Sequence, residues 1–277
     1  MFRITLPFVS REAILRYDYG PKASTPRLVV STPTVPRKLL IVRLSAVGDV
    51  VNVLPSLKTL RRNYPSTHIA WLVEDKAEGI LRGHPDLDEV IVFPKKRWIS
   101  GLKNPFTSLQ TVAEVCSFVA NLRRQGFEMA LDFQGNLKSG IMTFLTGAPV
   151  RVGFARGHCK ECNFLFTNRR IELPSDRLHR IEKNLFLLEG LGLRLIREGV
   201  TLPVSREDEK YIDSNLLTLS PPKTEATPKG GVYGPLVVIH SGTSDFGAYK
   251  RWPAICYAQL ADRMVDEFKA RILFTWG

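Results

Sequence analysis

Short apolar runs alternate along this chain with longer segments in which apolar residues recur every three or four positions. Buried parallel strands are typically continuous apolar runs, and the helices that connect them are amphipathic. The pattern therefore predicts an α/β fold with a mainly parallel sheet. The predicted strands cover residues 38–44, 68–74, 88–93, 128–133, 150–154, 236–240 and 271–276.

Amphipathic segments follow most of these runs. Pro55 lies inside the first segment, where it either kinks the helix or opens its main body. Gly126 is placed to end the second helix, and Gly190 and Gly192 are placed to end the fourth. The predicted helices cover residues 49–64, 109–125, 137–145, 177–192 and 253–268, with a basic loop ahead of the second.

One segment, residues 219–235, is rich in Pro, Gly, Thr and Lys and has no apolar periodicity, which is typical of a linker. It separates a first Rossmann-like domain at 37–218 from a second unit at 236–277, and residues 1–36 precede both as an extension. Because the two parallel strands predicted in the second unit cannot bury both of their faces, we expect only part of a second Rossmann-like domain here.

The composition, with 44% hydrophobic and 24% charged residues, is that of an ordinary globular protein. No apolar run is long enough to cross a bilayer, and we expect no signal peptide in the opening residues, which are interrupted by charges and Pro7. Four cysteines in 277 residues are too few for a disulfide framework, so we expect a reducing, cytoplasmic location. The net charge of +12 indicates anionic partners: nucleic acid, phosphorylated sugars or a membrane surface. No signature of a nucleic-acid-binding module is present, so nucleic acid is not expected.

Two local clusters invite a functional interpretation. Four cations, at Lys95, Lys96, Arg97 and Lys103, surround Trp98. They suit a solvated face or contact with an anionic membrane surface. The second cluster is a single CxxC at Cys159 and Cys162, beside His158. A zinc site needs about four ligands, and no second pair follows, so we interpret these as loop cysteines and expect no metal.

Two loops of the first domain follow predicted strands, and ligands of doubly wound sheets bind at the carboxyl ends of strands. In LSAVGDV, Gly48 is interpreted as a tight turn that brings Asp49 to the mouth of the crevice; Asp49 can instead be a simple helix N-cap. In DFQGNLKSG, a helix start beside Lys138 and Ser139 suits a carboxylate or phosphate, although the lysine can equally be a solvent-exposed residue of a first helical turn.

A third loop, HSGTSDFGAYKRW, combines small, hydroxylated and basic residues. Gly242, Thr243 and Ser244 can offer amides and hydroxyls to a phosphate, and Lys250 and Arg251 can neutralise a departing diphosphate. An ordinary polar loop is the alternative. No carboxylate cluster in the chain suggests a metal for the same task.

Five segments together resemble successive signatures of the bacterial lipopolysaccharide heptosyltransferases, which are glycosyltransferases of family 9, in the order of that family. The resemblance implies the GT-B architecture, in which two Rossmann-like domains face each other across a cleft. The first domain would bind mainly the acceptor and the second mainly the nucleotide sugar. The segments are KLLIVRLSAVGDVVNVLPSLKTLRRNYP, DFQGNLKSG, RVGFARGHCKECNFLFTNRR, LHRIEKNLFLLEGLG and IHSGTSDFGAYKRWP, which span roughly residues 37 to 277.

Matching positions imply roles. Asp49 matches the aspartate of the family's SxxGD element, the general base that accepts a proton from the acceptor hydroxyl, with inversion at the anomeric carbon. Lys250 matches the lysine that stabilises the departing nucleoside diphosphate. Gly242, Thr243, Ser244 and Arg251 complete the implied donor contacts, while Ser45, Gln134, Asn136 and Lys138 are the implied acceptor contacts. His179 falls in a family-like element without an assigned role.

The resemblance implies transfer of a heptose from ADP-heptose to the Kdo–lipid A inner core at the cytoplasmic face of the inner membrane, without a cofactor or metal. Family members continue beyond the WG pair that ends at Gly277, into a D-x-G-x-x-H-like motif. We therefore expect poor transfer by this chain alone. The alternative is a module that binds a nucleotide or polyanion without chemistry.

Overall fold

The structure is a computed structural model that describes residues 14–15, 35–175, 177–217, 234–243 and 245–276. The chain divides into two compact units, Met1–Glu209 and Lys210–Gly277. Most of the predicted 1–36 extension and almost all of the predicted linker at 219–235 lie outside the described residues.

The strands of the first unit are β1 Ile14–Leu15, β2 Lys38–Val42, β3 His68–Glu74, β4 Glu89–Phe93, β5 Met129–Asp132, β6 Val150–Phe154, β7 Arg169–Ile171 and β8 Val200–Thr201. Its helices are α1 Val47–Val51, α2 Leu54–Asn63, α3 Glu78–Leu81, α4 Lys95–Lys103, α5 Ser108–Arg124, α6 Leu137–Leu145 and α7 Arg180–Glu189. Short 3₁₀ helices lie at Asp75–Ala77 and Asn163–Leu165, and α8 Arg206–Leu217 crosses the division between the units.

Six strands of the first unit form one sheet in the order β4-β3-β2-β5-β6-β7, with every neighbouring pair parallel. Counted from β2, this is the 3-2-1-4-5-6 order of a doubly wound sheet, and its direction of winding reverses between β2 and β5. The α/β prediction with a parallel sheet is confirmed. Ile14 and Leu15, from the predicted extension, pair antiparallel with β8 outside this sheet.

The core consists of two apolar layers, one on each face of the sheet. Alternate residues of a strand point to opposite faces, so β2 contributes Leu39 and Ile41 to one layer and Leu40 and Val42 to the other. Helices α2 and α7 cover the first layer, and α5 and α6 cover the second. The helix residues fully buried in the first layer include Leu57, Leu60, Leu187 and Leu188, and those buried in the second include Leu122 and Met142.

The helix ends show why these segments begin where they do. The predicted helix at 49–64 is two helices, and Pro55 lies in the first turn of α2, as one of the two sequence interpretations expected. Asn136 caps α6 through a capping box with Ser139. His179 caps α7, because its Nδ1 accepts the backbone N–H of Ile181 at 3.3 Å.

The prediction of a basic loop before α5 is wrong, because residues 95–103 form the helix α4. Trp98 is only 8% exposed and packs edge-on against Phe93 and Phe118, with ring centroids 5.0 and 5.2 Å away. This ring therefore does not reach a membrane surface in the way the sequence pattern indicated. The four cations around it remain at the surface of the helix or partly exposed.

The second unit contains β9 Leu236–His240, a 3₁₀ helix at Asp245–Lys250, α9 Ala254–Phe268 and β10 Arg271–Thr275. β9 and β10 are parallel, with Leu236 opposite Arg271. Apolar side chains of these elements remain exposed, including Val238, Ile255 and Phe268. Among the described residues, α9 has no buried side chain.

Candidate active site

The carboxyl ends of β2 and β5 lie side by side at the point where the winding of the sheet reverses. A crevice opens at such a switch point because the connections leaving the two strands go to opposite faces. The loop and helix that follow β2 carry Asp49, and the turn and helix that follow β5 carry Gln134, Asn136 and Lys138. The fold thus brings two of the three sequence-predicted loops to one place.

Asp49 is held between two arginines. Its Oδ2 lies 2.5 Å from Nη2 of Arg43, and its Oδ1 lies 2.6 Å from Nη1 of Arg180. Asp49 is the third residue of α1, whose N-cap is Ala46, so the N-cap interpretation is wrong. Gly48 is also part of α1 and not a tight turn, and the space where a Cβ would lie is open. The carboxylate is 24% exposed and therefore accessible to solvent.

The two arginines differ in burial. Arg43 is buried at the end of β2, and its Nη1 also donates to the carbonyl oxygen of Phe133 at 2.8 Å. Burial lowers the pKa of Arg43, and the ion pair with Asp49 opposes that shift. The Arg180 side chain is 70% exposed at the first position of α7. Arg43 is therefore a fixed partner of Asp49, and Arg180 is a partner that can move into solvent.

Asp132 organises the turn after β5. Its carboxylate is fully buried and accepts four hydrogen bonds at 2.7–3.0 Å, from the backbone N–H groups of Gln134 and Gly135 and from the side chains of Ser139 and Asn163. Burial raises the pKa of Asp132, and these four donors oppose the shift. Gly135 has φ of +70°, so the glycine is required where the turn reverses.

Three predicted acceptor contacts help to build this edge of the sheet. The Oε1 of Gln134 accepts the backbone N–H of Leu44 at 2.8 Å and that of Ser45 at 3.4 Å. Its Nε2 donates to Oδ1 of Asn136 at 3.2 Å, and the same Oδ1 caps α6. Ser45, Gln134 and Asn136 are therefore brought together, and their contacts tie the loop after β2 to the turn after β5.

Lys138, the remaining predicted acceptor contact, forms an ion pair with Glu74 at the end of β3. Lys95, the first residue of α4, lies 3.7 Å from the same Oε1 of Glu74. The Glu74 side chain is 9% exposed, and its Oε1 contacts the ammonium groups of both lysines. Both lysines remain partly exposed and present positive charge at the carboxyl edge of the sheet.

The third loop lies in the second unit. The Nε of Arg251 donates to Oγ1 of Thr243 at 2.9 Å, and its Nη2 donates to the Thr243 carbonyl at 2.5 Å. Gly242 is partly exposed beside them, and Lys250 is exposed with its Nζ 5.4 Å from the Tyr249 ring centroid. The predicted donor residues Gly242, Thr243, Lys250 and Arg251 thus share one loop region, while Ser244 lies outside the described residues.

The CxxC segment packs against the turn after β5. Cys159 is partly buried near Gly135, Cys162 is exposed, and both are free thiols. His158 pairs with Glu172 at 3.2 Å, and its carbonyl accepts from Nζ of Lys183 at 2.7 Å. Across the described part of the chain, no three His, Cys, Asp or Glu side chains are grouped as a metal site would need.

Sequence reasoning missed Arg43, Arg180 and Glu74. Arg43 carried a local signal, because it is a lone charge near the end of the apolar run KLLIVRL. Glu74 likewise ends an apolar strand. Arg180 carried none, since 131 residues separate it from Asp49 and only the fold brings the two together.

Comparison with known proteins places the chain in a family. Residues 115–277 match the domain described as glycosyltransferase family 9 (heptosyltransferase). Since this match covers more than half of the chain, the protein belongs to glycosyltransferase family 9. The resemblance seen in the five sequence segments is therefore confirmed.

Curated relatives agree with this assignment. The lipopolysaccharide core heptosyltransferase OpsX of Haemophilus influenzae is 28% identical over 178 residues, which are 64% of this chain and 47% of that protein. Lipopolysaccharide heptosyltransferase 1 of Pseudomonas aeruginosa is 27% identical over 241 residues, which are 87% of this chain and 61% of that protein. The chain thus spans about half to two thirds of the length of these relatives.

Solved structures share the fold. Escherichia coli heptosyltransferase WaaC with ADP-2-deoxy-2-fluoro heptose superposes with a TM-score of 0.61 at 25% identity, over 87% of this chain and 69% of that one. A family 9 glycosyltransferase from Veillonella parvula gives a TM-score of 0.65 at 21% identity, over 86% of this chain and 62% of that one. Within the described residues, no helix is both long and apolar enough to cross a bilayer.

Proposed function

We propose that this chain carries the acceptor half and part of the donor half of an inverting heptosyltransferase. The reaction transfers a heptose from ADP-heptose to the Kdo–lipid A inner core of lipopolysaccharide. The family assignment supports this proposal, as do the relatives described as lipopolysaccharide heptosyltransferases. The observation that carries it is Asp49, a partly exposed carboxylate at the switch point of a doubly wound sheet.

Asp49 is the proposed general base. Its carboxylate takes the proton of an acceptor hydroxyl while that oxygen attacks the anomeric carbon of the donor. The new C–O bond forms as the bond from that carbon to the diphosphate oxygen breaks, and ADP leaves with the electron pair. Attack from the face opposite the leaving group inverts the configuration at the anomeric carbon.

The two arginines define which oxygen of Asp49 acts. Each oxygen accepts from one arginine and keeps a second lone pair, and the oxygen whose arginine can move away is the more open to an acceptor hydroxyl. Arg43 is buried and bound to the Phe133 carbonyl, whereas Arg180 is exposed. We therefore assign the proton-accepting role to Oδ1. A carboxylate or phosphate of the acceptor can attract the guanidinium of Arg180 as it leaves that oxygen.

The acceptor side of the proposed site includes Ser45, Gln134, Asn136 and Lys138. An inner-core acceptor is rich in carboxylates and phosphates, and Lys138 supplies a partly exposed cation beside the crevice. Gln134 and Asn136 hold the loop after β2 against the turn after β5. On this proposal they act mainly by positioning the backbone that the acceptor meets.

The donor side is the loop of the second unit. Gly242, Thr243 and Ser244 contribute amides and hydroxyls, and Lys250 and Arg251 contribute positive charge to the diphosphate as it departs. In the proposed reaction these groups need neither a metal nor a cofactor. The proposed architecture is GT-B, with this unit as the beginning of the nucleotide-sugar domain, and the proposed location is the cytoplasmic face of the inner membrane.

A transfer assay tests the proposal. The protein is incubated with ADP-heptose and Kdo–lipid A, and the mass gain of the acceptor is followed, both for residues 1–277 and for a form extended to the length of the relatives. We expect measurable transfer by the extended form and little by the shorter one. Asp49→Asn should lower turnover by about 10²–10⁴-fold, which is the usual contribution of a general base.

Asp75→Asn is the matched control, because Asp75 is an exposed aspartate at the same edge of the sheet. It should leave turnover within about twofold, as expected for a surface change away from the reacting groups. Full turnover by Asp49→Asn would remove the base assignment. An extended form that binds polyanions in a salt-dependent way and transfers no sugar would favour a binding module instead.

A further inference from the structure

An exposed apolar surface lies on the helical hairpin formed by α4 and α5. Phe106 is 95% exposed and Leu109 is 83% exposed, at the turn between the two helices and the start of the second. About half of each of three further side chains is exposed on the same hairpin. The hairpin surface thus consists of Ile99, Leu102, Phe106, Leu109 and Val112. Such a group of large apolar side chains on one short hairpin is typical of a contact site.

The hairpin is a fixed structure. The backbone N–H of Phe106 donates to Oδ1 of Asn104 at 3.0 Å, and Oγ1 of Thr107 donates to the Gly101 carbonyl at 2.9 Å. Arg97 on α4 pairs with Glu114 on α5 at 2.7 Å. On the inner side, Trp98 is buried between aromatic rings. The exposed residues are therefore presented by an ordered turn that is anchored to the sheet.

Positive charge lies along the α4 side of the hairpin surface, where Lys95 and Arg97 pair with Glu74 and Glu114. Lys95, Lys96, Arg97 and Lys103 lie on α4, and the sequence from 94 to 113 has no acidic residue. Lysine is depleted from protein–protein interfaces, whereas apolar side chains flanked by lysines suit the interfacial region of an anionic bilayer. Charge and apolarity together thus favour a lipid surface over a protein partner.

The position of the hairpin agrees with such a contact. α4 follows β4 directly and therefore starts at the carboxyl edge of the sheet, where the candidate site lies. Lys95 lies near Glu74, the partner of Lys138. An acceptor anchored in a bilayer by acyl chains would have its sugar head close to this edge.

We propose that the hairpin surface docks this protein on an anionic lipid bilayer, with the apolar side chains inserted and the lysines at the headgroups. This inference rests on the proposed function, since it concerns how the lipid-linked acceptor is reached. Insertion of Phe106 and Leu109 supplies hydrophobic binding, and the cations make binding depend on anionic lipid and on salt.

Co-sedimentation of residues 1–277 with vesicles tests the proposal. The vesicles contain about 30% phosphatidylglycerol in phosphatidylcholine, or phosphatidylcholine alone, and no lipopolysaccharide. We expect binding to the anionic vesicles only. Phe106→Ser with Leu109→Ser should reduce the bound-to-free ratio by about tenfold or more. Lys96→Gln with Lys103→Gln should reduce it by about fivefold for each lysine.

Matched controls lie elsewhere on the first unit. Leu165 is an exposed apolar residue of the 3₁₀ helix at Asn163–Leu165, and Arg62 and Arg194 are exposed cations outside the hairpin. Leu165→Ser, and Arg62→Gln with Arg194→Gln, should each change the ratio by about twofold or less. Equal losses in these controls, or no binding of the unchanged protein to anionic vesicles, would overturn the proposal.

A variant that gains a signal on binding shows that lost binding in the other variants is not caused by unfolding. Phe106→Trp should shift tryptophan emission to the blue when anionic vesicles are added, and Leu165→Trp should not. Light scattering distinguishes contact with a bilayer from contact with a second copy of the chain. A dimer that Phe106→Ser with Leu109→Ser converts to monomer, without vesicle binding, would show that a second copy covers the surface and would overturn the bilayer proposal.

These results are separable from the proposed function. The vesicles carry no acceptor, and sugar transfer can be measured on a deacylated, water-soluble acceptor. A protein that transfers sugar to that acceptor and does not bind vesicles would refute the hairpin surface alone. A protein that binds vesicles through the hairpin and transfers no sugar would refute the proposed function alone.

Discussion

Asp49 is the proposed general base, and contacts made by the fold hold its carboxylate in place. Both of its oxygens are in ion pairs, one with a buried arginine and one with an exposed arginine. A surface ion pair contributes little to stability, while the loss of a buried partner leaves a charge and a carbonyl unsatisfied. Arg43 and Arg180 should therefore respond very differently to replacement.

We predict that Arg180→Ala changes the free energy of unfolding by about 0.5 kcal/mol or less. If Arg180 binds an anionic group of the acceptor after leaving Asp49, the acceptor KM should rise by about tenfold while kcat changes less. Urea unfolding and steady-state kinetics on the extended form measure the two effects. Unchanged acceptor KM would contradict this role of Arg180.

For Arg43→Ala we predict a loss of about 2–4 kcal/mol in the free energy of unfolding, because the Phe133 carbonyl and Oδ2 of Asp49 lose their buried donor. Arg43→Lys keeps the charge and one donor and should lose less. A stability loss below about 0.5 kcal/mol for Arg43→Ala would show that the buried ion pair does not hold the loop.

The turn between β5 and α6 is the element that positions the candidate site. Asp132, at the start of this turn, accepts four hydrogen bonds, and Asn136 and Gln134 extend the network to the loop after β2. Asp132→Ala would leave buried donors unpaired, and we predict a loss of about 3 kcal/mol or more by urea unfolding. Asn136→Ala removes a helix cap and the partly exposed contact with Nε2 of Gln134, so its expected loss is smaller, about 1 kcal/mol. Equal effects of the two changes would contradict this ranking.

Asp88 lies at the edge of the sheet opposite the candidate site, and its ion pair allows the fold to be tested by varying the pH. Asp88 accepts from the backbone N–H of Ile69 at 2.7 Å and pairs with Arg61 at 2.5 Å. Burial alone would raise the pKa of Asp88, but these two contacts outweigh it, so the pKa lies below its ordinary value. The stabilisation is therefore complete above the unfolded-state pKa and is lost as the pH falls through the lower folded-state pKa.

We accordingly predict that Asp88→Asn lowers the free energy of unfolding by about 0.5–1 kcal/mol at neutral pH, since the pair is partly exposed. The difference from the unchanged protein should shrink as the pH falls below about 4, because aspartate in the unfolded state begins to be protonated there. Urea unfolding between neutral and acidic pH measures it. A difference that grows on acidification would contradict the assigned ion pair.

Much of the fold was predictable because its elements carry local patterns. The strands at 68–74 and 150–154 and the helix at 137–145 have the predicted bounds, since continuous apolar runs and a helix cap mark them in the sequence. α4 was missed because its four cations hide a single buried face around Trp98. The loops of the site were predictable from strand ends, whereas the partners Arg180 and Glu74 depend on strand order and helix placement.

At the scale of the whole molecule, the carboxyl edge of the first unit is the proposed acceptor-binding half-site. Hydrogen–deuterium exchange tests it most directly, because it reports backbone protection by region and needs no turnover. On addition of a deacylated Kdo-containing acceptor, we predict slower exchange in residues 44–52 and 133–140 and unchanged exchange in residues 56–64. Protection that is absent from the first two segments, or that is confined to another edge of the sheet, would contradict the account.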